Sequence, residues 1–260
     1  MGVTDMSELE QVLNEYHSLG INQQLDYDKF YLYSIITHST AIEGSTVTEV
    51  EAQLLFDEGI TSSKRTLAEQ MMNLDLKKAY EQSFEYAKNH EKITIELLCK
   101  LSGIAMANTG ASYNTISGTF SSAKGELRLV NVSAGRGGKS YLAWQKVPDR
   151  FQKFCDWMNE ERKKIDSKTD MQKIYELSFE AHYRLASIHP WAAGNGRMSR
   201  LLMNMIQYEF LLIPSIVKKE NRAEYIQSLA ESQEKEDSKG FLDFMLNRNY
   251  SAPQAQIWRT

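Results

Sequence analysis

Residues His189 to Arg200 read HPWAAGNGRMSR, and this run decides how the chain is understood. His189 stands just before a Gly194-Asn195-Gly196 turn, and the turn opens a helix carrying Arg197 and Arg200. Such a turn aims backbone N–H groups and the positive end of a helix dipole at one point, which suits a phosphate. Two guanidiniums three residues apart share a side of that helix and reach further along a polyphosphate. An imidazole beside the cradle is placed to take a proton from a nucleophile attacking phosphorus.

The elements on either side of this run are helical. Upstream, Ile174, Leu177, Ala181, Leu185 and Ile188 recur at helical spacing over 170–188, and Pro190 stops that helix. Downstream, a helix is expected from about 195 to 212 with Leu201, Leu202, Met205 and Ile206 facing inward, and two more near 220–234 and 239–248. The whole chain, 260 residues with 42% hydrophobic content, four prolines and fourteen glycines, fits a mostly helical protein with one substantial core. A net charge of -4 without a long basic run argues against nucleic acid as a main partner. Cys99 and Cys155 sit in apolar surroundings without metal spacing and read as two buried thiols in a reducing compartment. The first ten residues lack a basic region followed by an apolar core, Gly2 lacks Ser or Thr at position 6, and no apolar run reaches membrane-spanning length. A soluble, cytoplasmic protein is expected.

Nearer the N-terminus, helices are expected at 5–18 and about 26–43, the second ended by Gly44. Thr46 with Glu49 reads as a capping box for a helix to about Asp57, followed by long helices at 65–89 and 93–107. From Gly110 the chain turns to Gly, Ser, Thr and Val. Leu127, Leu129, Val130 and Val132 suggest extended chain that turns back through 134–139 to Ser140–Ala143, a β-hairpin in a helical protein. Gly138-Lys139-Ser140 is not a P-loop, because Ser133 stands where that loop needs glycine. His182, seven residues before His189, matches no metal spacing and reads as a residue that packs or bonds within its helix, and Asn204 reads as a helix-surface amide.

The run HPWAAGNGRMSR resembles the signature of the Fic (Fic/Doc) family, H-P-F-x-[D/E]-G-N-G-R-x-x-R, at every defined position except the acidic one, with Trp191 for the usual Phe. The resemblance implies an all-α, mainly helical Fic fold with a β-hairpin flap at 117–143. It also implies N-terminal helices over 1–60, a core domain over 61–250 and a tail at 251–260. It implies transfer of AMP from ATP to a Tyr, Ser or Thr hydroxyl of a target protein, which includes the chain itself as a candidate. His189 would be the general base. Backbone N–H groups of Gly194, Asn195, Gly196 and Arg197, with the Asn195 side chain, would hold the α-phosphate, Arg197 the β-phosphate and Arg200 the γ-phosphate. Trp191 would anchor the loop in the core. In the family the acid binds Mg²⁺; here Ala193 presents a methyl group, which cannot ligate a metal. Either metal binding and transfer are weak, or the alanine is an engineered replacement in an active enzyme.

Ser39-Thr40-Ala41-Ile42-Glu43-Gly44 also matches the family's inhibitory pattern [S/T]-x-x-x-E-[G/N]. That resemblance implies an inhibitory helix at about 26–43 whose Glu43, with Ser39 one turn earlier, pairs with Arg200 and fills the γ-phosphate position. A helix end with a solvated carboxylate is the plainer alternative. Leu129, Val130, Asn131 and Val132 resemble the flap edge that receives a target strand. Tyr225 would line the adenine pocket, with a core tyrosine equally expected, and Gln233 stands near a position often held by Asn. Two other functions remain open. One is hydrolytic removal of AMP with Glu43 positioning water; the other is nucleotide binding without chemistry, on account of Ala193. Self-association is expected as a further possibility of the family.

Overall fold

The computed structural model describes residues 27–134, 140–166 and 168–249. Among them, nine α-helices follow one another: α1 Tyr27–Ile42, α2 Glu49–Glu58, α3 Leu67–Lys88, α4 Ile95–Ala105, α5 Val147–Arg162, α6 Met171–Ile188, α7 Asn195–Glu209, α8 Arg222–Lys235 and α9 Lys239–Asn249. Two short antiparallel strands, β1 Ser112–Thr115 and β2 Gly118–Ser121, lie between α4 and α5, with Ser112 opposite Ser121. The fold is mainly helical, as expected. The helix expected at 5–18 and the tail at 251–260 lie outside the described residues.

Local chemistry sets the helix starts. Thr66 accepts from Glu69 N–H while the Glu69 side chain returns to Thr66, a capping box at the head of α3. Thr94 caps α4 and Asp170 caps α6 in the same sense, and Pro148 occupies the first turn of α5. At α2 the capping box is Thr48 with Glu51, two residues later than expected. Both pairs have the right spacing, but Glu69 of α3 accepts from the Thr46 N–H and hydroxyl at 2.7 and 2.6 Å, and this tertiary contact claims the first threonine.

Helix α7 is buried around its whole circumference and packs against α6, α3, α4 and α1. Its Met198, Leu201, Leu202, Met205 and Ile206 meet Leu76 and Tyr80 of α3, Leu98 of α4, Phe151 of α5 and Leu185 of α6 in one core. Each such side chain contributes roughly 1.5–3 kcal/mol on burial, while an unmatched polar group beside it costs about 1–3 kcal/mol. The polar residues of α7 are accordingly matched. Asn204, expected at the surface, is 1% exposed; it accepts from the Tyr80 hydroxyl at 2.8 Å and donates to the Ser215 carbonyl at 2.8 Å. Glu209 takes a two-pronged bond from Arg162 at 2.8 and 2.6 Å. A second apolar cluster, with Phe179, Met203, Tyr225, Phe241 and Met245, joins α6 and α7 to α8 and α9.

Among the described residues the expected hairpin at 127–143 doubles back without a regular ladder. The regular strands lie earlier, at β1 and β2, and the two limbs of the flap meet in one isolated bridge between Ser133 and Ser140, beside a Tyr141 N–H bond to the Val132 carbonyl at 3.0 Å. Arg128 bridges the two limbs. Its side chain is 1% exposed, and its two terminal nitrogens donate to the Val130 carbonyl at 2.8 Å and the Leu142 carbonyl at 2.5 Å. A guanidinium stands where a strand ladder would otherwise run.

Candidate active site

The site begins where α6 ends. His189 is the residue after the helix, in the left-handed region at φ 53°, and its N–H closes the helix on the Leu185 carbonyl at 3.0 Å. The Arg128 side chain holds the His189 carbonyl at 2.7 Å, and the Arg128 backbone N–H holds the Pro190 carbonyl at 3.1 Å. Flap and motif loop are thereby tied at one residue. Trp191 is fully buried: its indole N–H donates to the Gly125 carbonyl at 3.0 Å, and its ring meets Phe151 edge to face.

The turn itself is closed by Asn195. Its side-chain oxygen accepts from Trp191 N–H at 3.1 Å, and its amide donates to the Trp191 carbonyl at 2.8 Å. That side chain, expected in the anion hole, is committed to shaping the loop, and the backbone N–H groups remain for an anion. Gly194 has φ +84°, which favours glycine, and the Met106 side chain closes over it, with its sulfur 2.7 Å from where a Cβ would stand.

The ring of His189 has a defined tautomer. A carbonyl can only accept, so Nδ1 carries the proton it donates to Ala186 at 3.3 Å, and Nε2 is left as an acceptor. Burial pushes the imidazole down to about 4, Ala186 works against that shift, Arg128 adds to it, and Glu43 opposes it. At neutral pH the group is an uncharged base. Tyr141, on the returning limb of the flap, lies flat on the imidazole with centroids 3.8 Å apart and planes 17° apart.

Both motif arginines are buried at the head of α7. Arg197 donates to the Ala105 carbonyl at 3.3 Å and the Met106 sulfur at 2.7 Å, while its Nε has no partner among the described residues. Arg200 is fully engaged: Nε donates to the Ser39 hydroxyl at 2.8 Å, Nη2 to the Ser39 carbonyl at 3.0 Å and to Glu43 Oε1 at 2.7 Å, and Nη1 to the Tyr225 hydroxyl at 3.4 Å. A Cβ at Gly196 would stand 2.6 Å from that same Glu43 oxygen. A carboxylate therefore lies over the first turn of α7, where the helix offers its unpaired N–H groups. Burial alone would raise the Glu43 carboxyl, but Arg200, with Arg197 and Arg222, holds it below the usual carboxylate range. Arg222 also fastens the end of α1, donating to the Ile42 carbonyl at 2.7 Å.

Tyr225 is 1% exposed, and its hydroxyl accepts from Arg200 at 3.4 Å. Its hydroxyl is 2.8 Å from His182 Nε2, so His182 bonds across to α8 instead of within its own helix. The packing of α6 against α8 and α9, invisible to a spacing argument, draws both inward. Gln233 does line a cavity of about 1320 Å³, whose walls include Tyr141, Tyr183, Ser187 and Ile188 beside His189. Of the flap residues, Leu129, Val130 and Val132 are half-buried and Asn131 is exposed. The side chains around the loop do not fit the metal that the resemblance implies: Ala193 supplies no side-chain oxygen. Among the described residues no group of three or more His, Cys, Asp or Glu is placed to hold an ion. Sequence reasoning missed Arg128, Tyr141 and Met106; a lone Arg between two leucines reads as a solvent-facing strand residue, and nothing local marks the other two.

Comparison with known proteins bears on the fold that carries this loop. The Fic/DOC family matches residues 92–207, which contain the flap, the histidine loop and most of α7. Protein adenylyltransferase fic-1 of Caenorhabditis elegans is 26% identical over 215 residues, 82% of this chain and 38% of that protein. Protein adenylyltransferase Fic of Drosophila willistoni is 26% identical over 229 residues, covering 86% and 41%. The chain thus spans about two fifths of the length of these curated relatives. Among solved structures, a Fic domain containing signaling protein from Bacteroides thetaiotaomicron superposes with a TM-score of 0.75 at 22% identity, covering 94% of each chain. Fic-1 (residues 134–508) from C. elegans gives 0.75 at 22% identity, covering 98% of this chain and 71% of that one. The matched segment, the histidine loop and the helical frame around it coincide, and over residues 92–207 the chain is similar to the Fic/DOC family.

Proposed function

We propose that this chain transfers AMP from ATP to a hydroxyl group of a protein, and that Glu43 restrains the reaction in the resting state. One observation carries the reading: an anion, the Glu43 carboxylate, sits over the head of α7, one loop away from an uncharged imidazole whose Nε2 is free to accept a proton. With ATP there instead, N–H groups of Gly194 to Arg197 face the α-phosphate, and Arg197 and Arg200 face the β- and γ-phosphates. His189 Nε2 takes the proton of the attacking hydroxyl. The oxygen forms a bond to the α-phosphorus, the bond from that phosphorus to the bridging oxygen breaks, and pyrophosphate leaves. No side chain becomes covalently attached; positioning and charge do the work. The nucleoside fits the cavity bordered by Ser187 and Gln233, and a target chain adds along Leu129 to Val132. Ser39 and Glu43 keep Arg200 from the γ-phosphate.

Ala193 favours a second reading, nucleotide binding without turnover. ATP labelled on the α-phosphate, and separately on the γ-phosphate, distinguishes the two when mixed with this chain and a candidate target extract, with and without Mg²⁺. Protein-bound α-label without γ-label supports AMP transfer. Nucleotide binding with no bound label overturns it in favour of the second reading, and release of AMP from a pre-modified protein would assign the hydrolytic reaction instead. Self-modification belongs to the same experiment, since label on the chain itself reports it. No helix among the described residues is long and apolar enough to cross a membrane.

A further inference from the structure

The ring of His189 needs more than its hydrogen bond to stay in place. The Nδ1 bond to Ala186 is 3.3 Å long, beyond the usual separation of about 2.9 Å, and it fixes the tautomer better than the ring plane. The second restraint comes from the flap. Tyr141 lies on one face of the imidazole at 3.8 Å and 17°, close enough that the ring cannot turn about its Cβ–Cγ bond without displacing it. Tyr141 is itself held from both sides. Its N–H donates to the Val132 carbonyl at 3.0 Å, and the next residue, Leu142, gives its carbonyl to Arg128. The same Arg128 side chain holds the His189 carbonyl at 2.7 Å. One guanidinium therefore sets the distance between the histidine backbone and the strand that carries the stacking ring.

We infer that Tyr141 is a positioning residue for His189, acting through its aromatic face, and that Arg128 is the strut that holds the pair in register. This deepens the function proposed above and rests on His189 being the base. The limb opposite Tyr141 contains Val130 and Val132, part of the edge to which a target strand would add. A target on that edge steadies Val132, hence Tyr141, hence the imidazole. The flap then orders the base as well as the substrate. The hydroxyl of Tyr141 has no part in this, and a phenylalanine serves equally.

The discriminating variants of the full chain are Tyr141→Phe, Tyr141→Leu and Tyr141→Ala, with His189→Ala to assign the resonance among five histidines. Imidazole-labelled protein is titrated by NMR, which reads the tautomer and midpoint of His189 without requiring turnover. The charged groups facing that ring, Arg128 and Glu43, are unchanged in every variant. In the parent and in Tyr141→Phe, His189 keeps Nδ1–H and titrates near 4. In Tyr141→Leu the ring stays buried but loses the flat face, so the tautomers mix while the midpoint stays low; in Tyr141→Ala, which also admits water, the midpoint rises from about 4. AMP transfer falls at least about tenfold in those two at saturating ATP, with the KM for ATP within about twofold of the parent. Leucine preserves bulk, so the test stands even where alanine collapses the flap. An unchanged tautomer in Tyr141→Leu would overturn the inference, as would an equal loss in Tyr141→Phe. A parent that transfers no AMP, yet shows these NMR responses, would instead remove the proposed function and leave the positioning intact.

Discussion

At His189 backbone and side chain are both specialised. A non-glycine residue in the left-handed region costs roughly 1–2 kcal/mol, offset here by three bonds: its N–H to Leu185, its carbonyl from Arg128 and its ring to Ala186. The buried imidazole stays uncharged down to about pH 4, so the acid limb of AMP transfer is expected near pH 4 rather than near 6.5, provided the fold persists. A rate profile from pH 4 to 8 checks this; a limb at 6.5 would mean the ring is solvated in the working state. Glu43→Gly should raise AMP incorporation by tenfold or more, roughly the effect of freeing a charge-paired arginine for phosphate; an unchanged rate would remove Glu43 from the restraining role. Ala193→Asp should increase Mg²⁺-dependent transfer, measured with and without the ion, and an increase equal under both conditions would count against a metal role at that position.

Among the elements, the flap shows how much a single buried charge can decide. Leu127 to Val132 has the composition of a strand, and the chain does double back after it, so the outline was readable from the sequence. Its ladder was not, because Arg128 pairs with residues 61 and 14 positions away and leaves no periodic mark. Arg128→Ala strands the carbonyls of His189, Val130 and Leu142 and should cost about 3 kcal/mol, a drop in Tm of roughly 6–12 °C by calorimetry. Lysine should recover little, since one ammonium cannot span three acceptors in a fork. The reverse holds for α1. Its Ser39–Glu43 pair was legible because the two fall one turn apart, and both reach Arg200. That Tyr225 meets Arg200 and His182 depended on α8 and α9 packing, which spacing along one helix does not contain.

Over the whole molecule, the helical frame followed from composition and apolar spacing, and the histidine loop from its own residues. What escaped the sequence lies where distant elements meet: Asn204 on Tyr80, Met106 under Gly194, Tyr141 on His189. Burial of charge-prone groups also gives the fold a pH signature. His182 and His189 are held near 3 and 4 by burial, while the unfolded chain takes up protons through 6.5. Stability is therefore full above pH 6.5 and declines below it, by up to about 1.4 kcal/mol per pH unit for each histidine. The Glu43 contact behaves oppositely in origin but in the same direction, since its depressed carboxyl is protonated only as pH falls below the ordinary 4.5. Urea titrations at pH 7, 6 and 5 should show this decline, and equal stability at all three would contradict the buried neutral rings.

If His189 activates a hydroxyl beside a nucleotide cradle that Glu43 otherwise occupies, AMP incorporation must rise when the carboxylate is removed and must need the imidazole. Intact mass spectrometry of Glu43→Gly after incubation with ATP tests it most directly, with the Glu43→Gly, His189→Ala double variant as control. A gain of one AMP on the first and none on the second is predicted. No gain on the first, or equal gains on both, would contradict it.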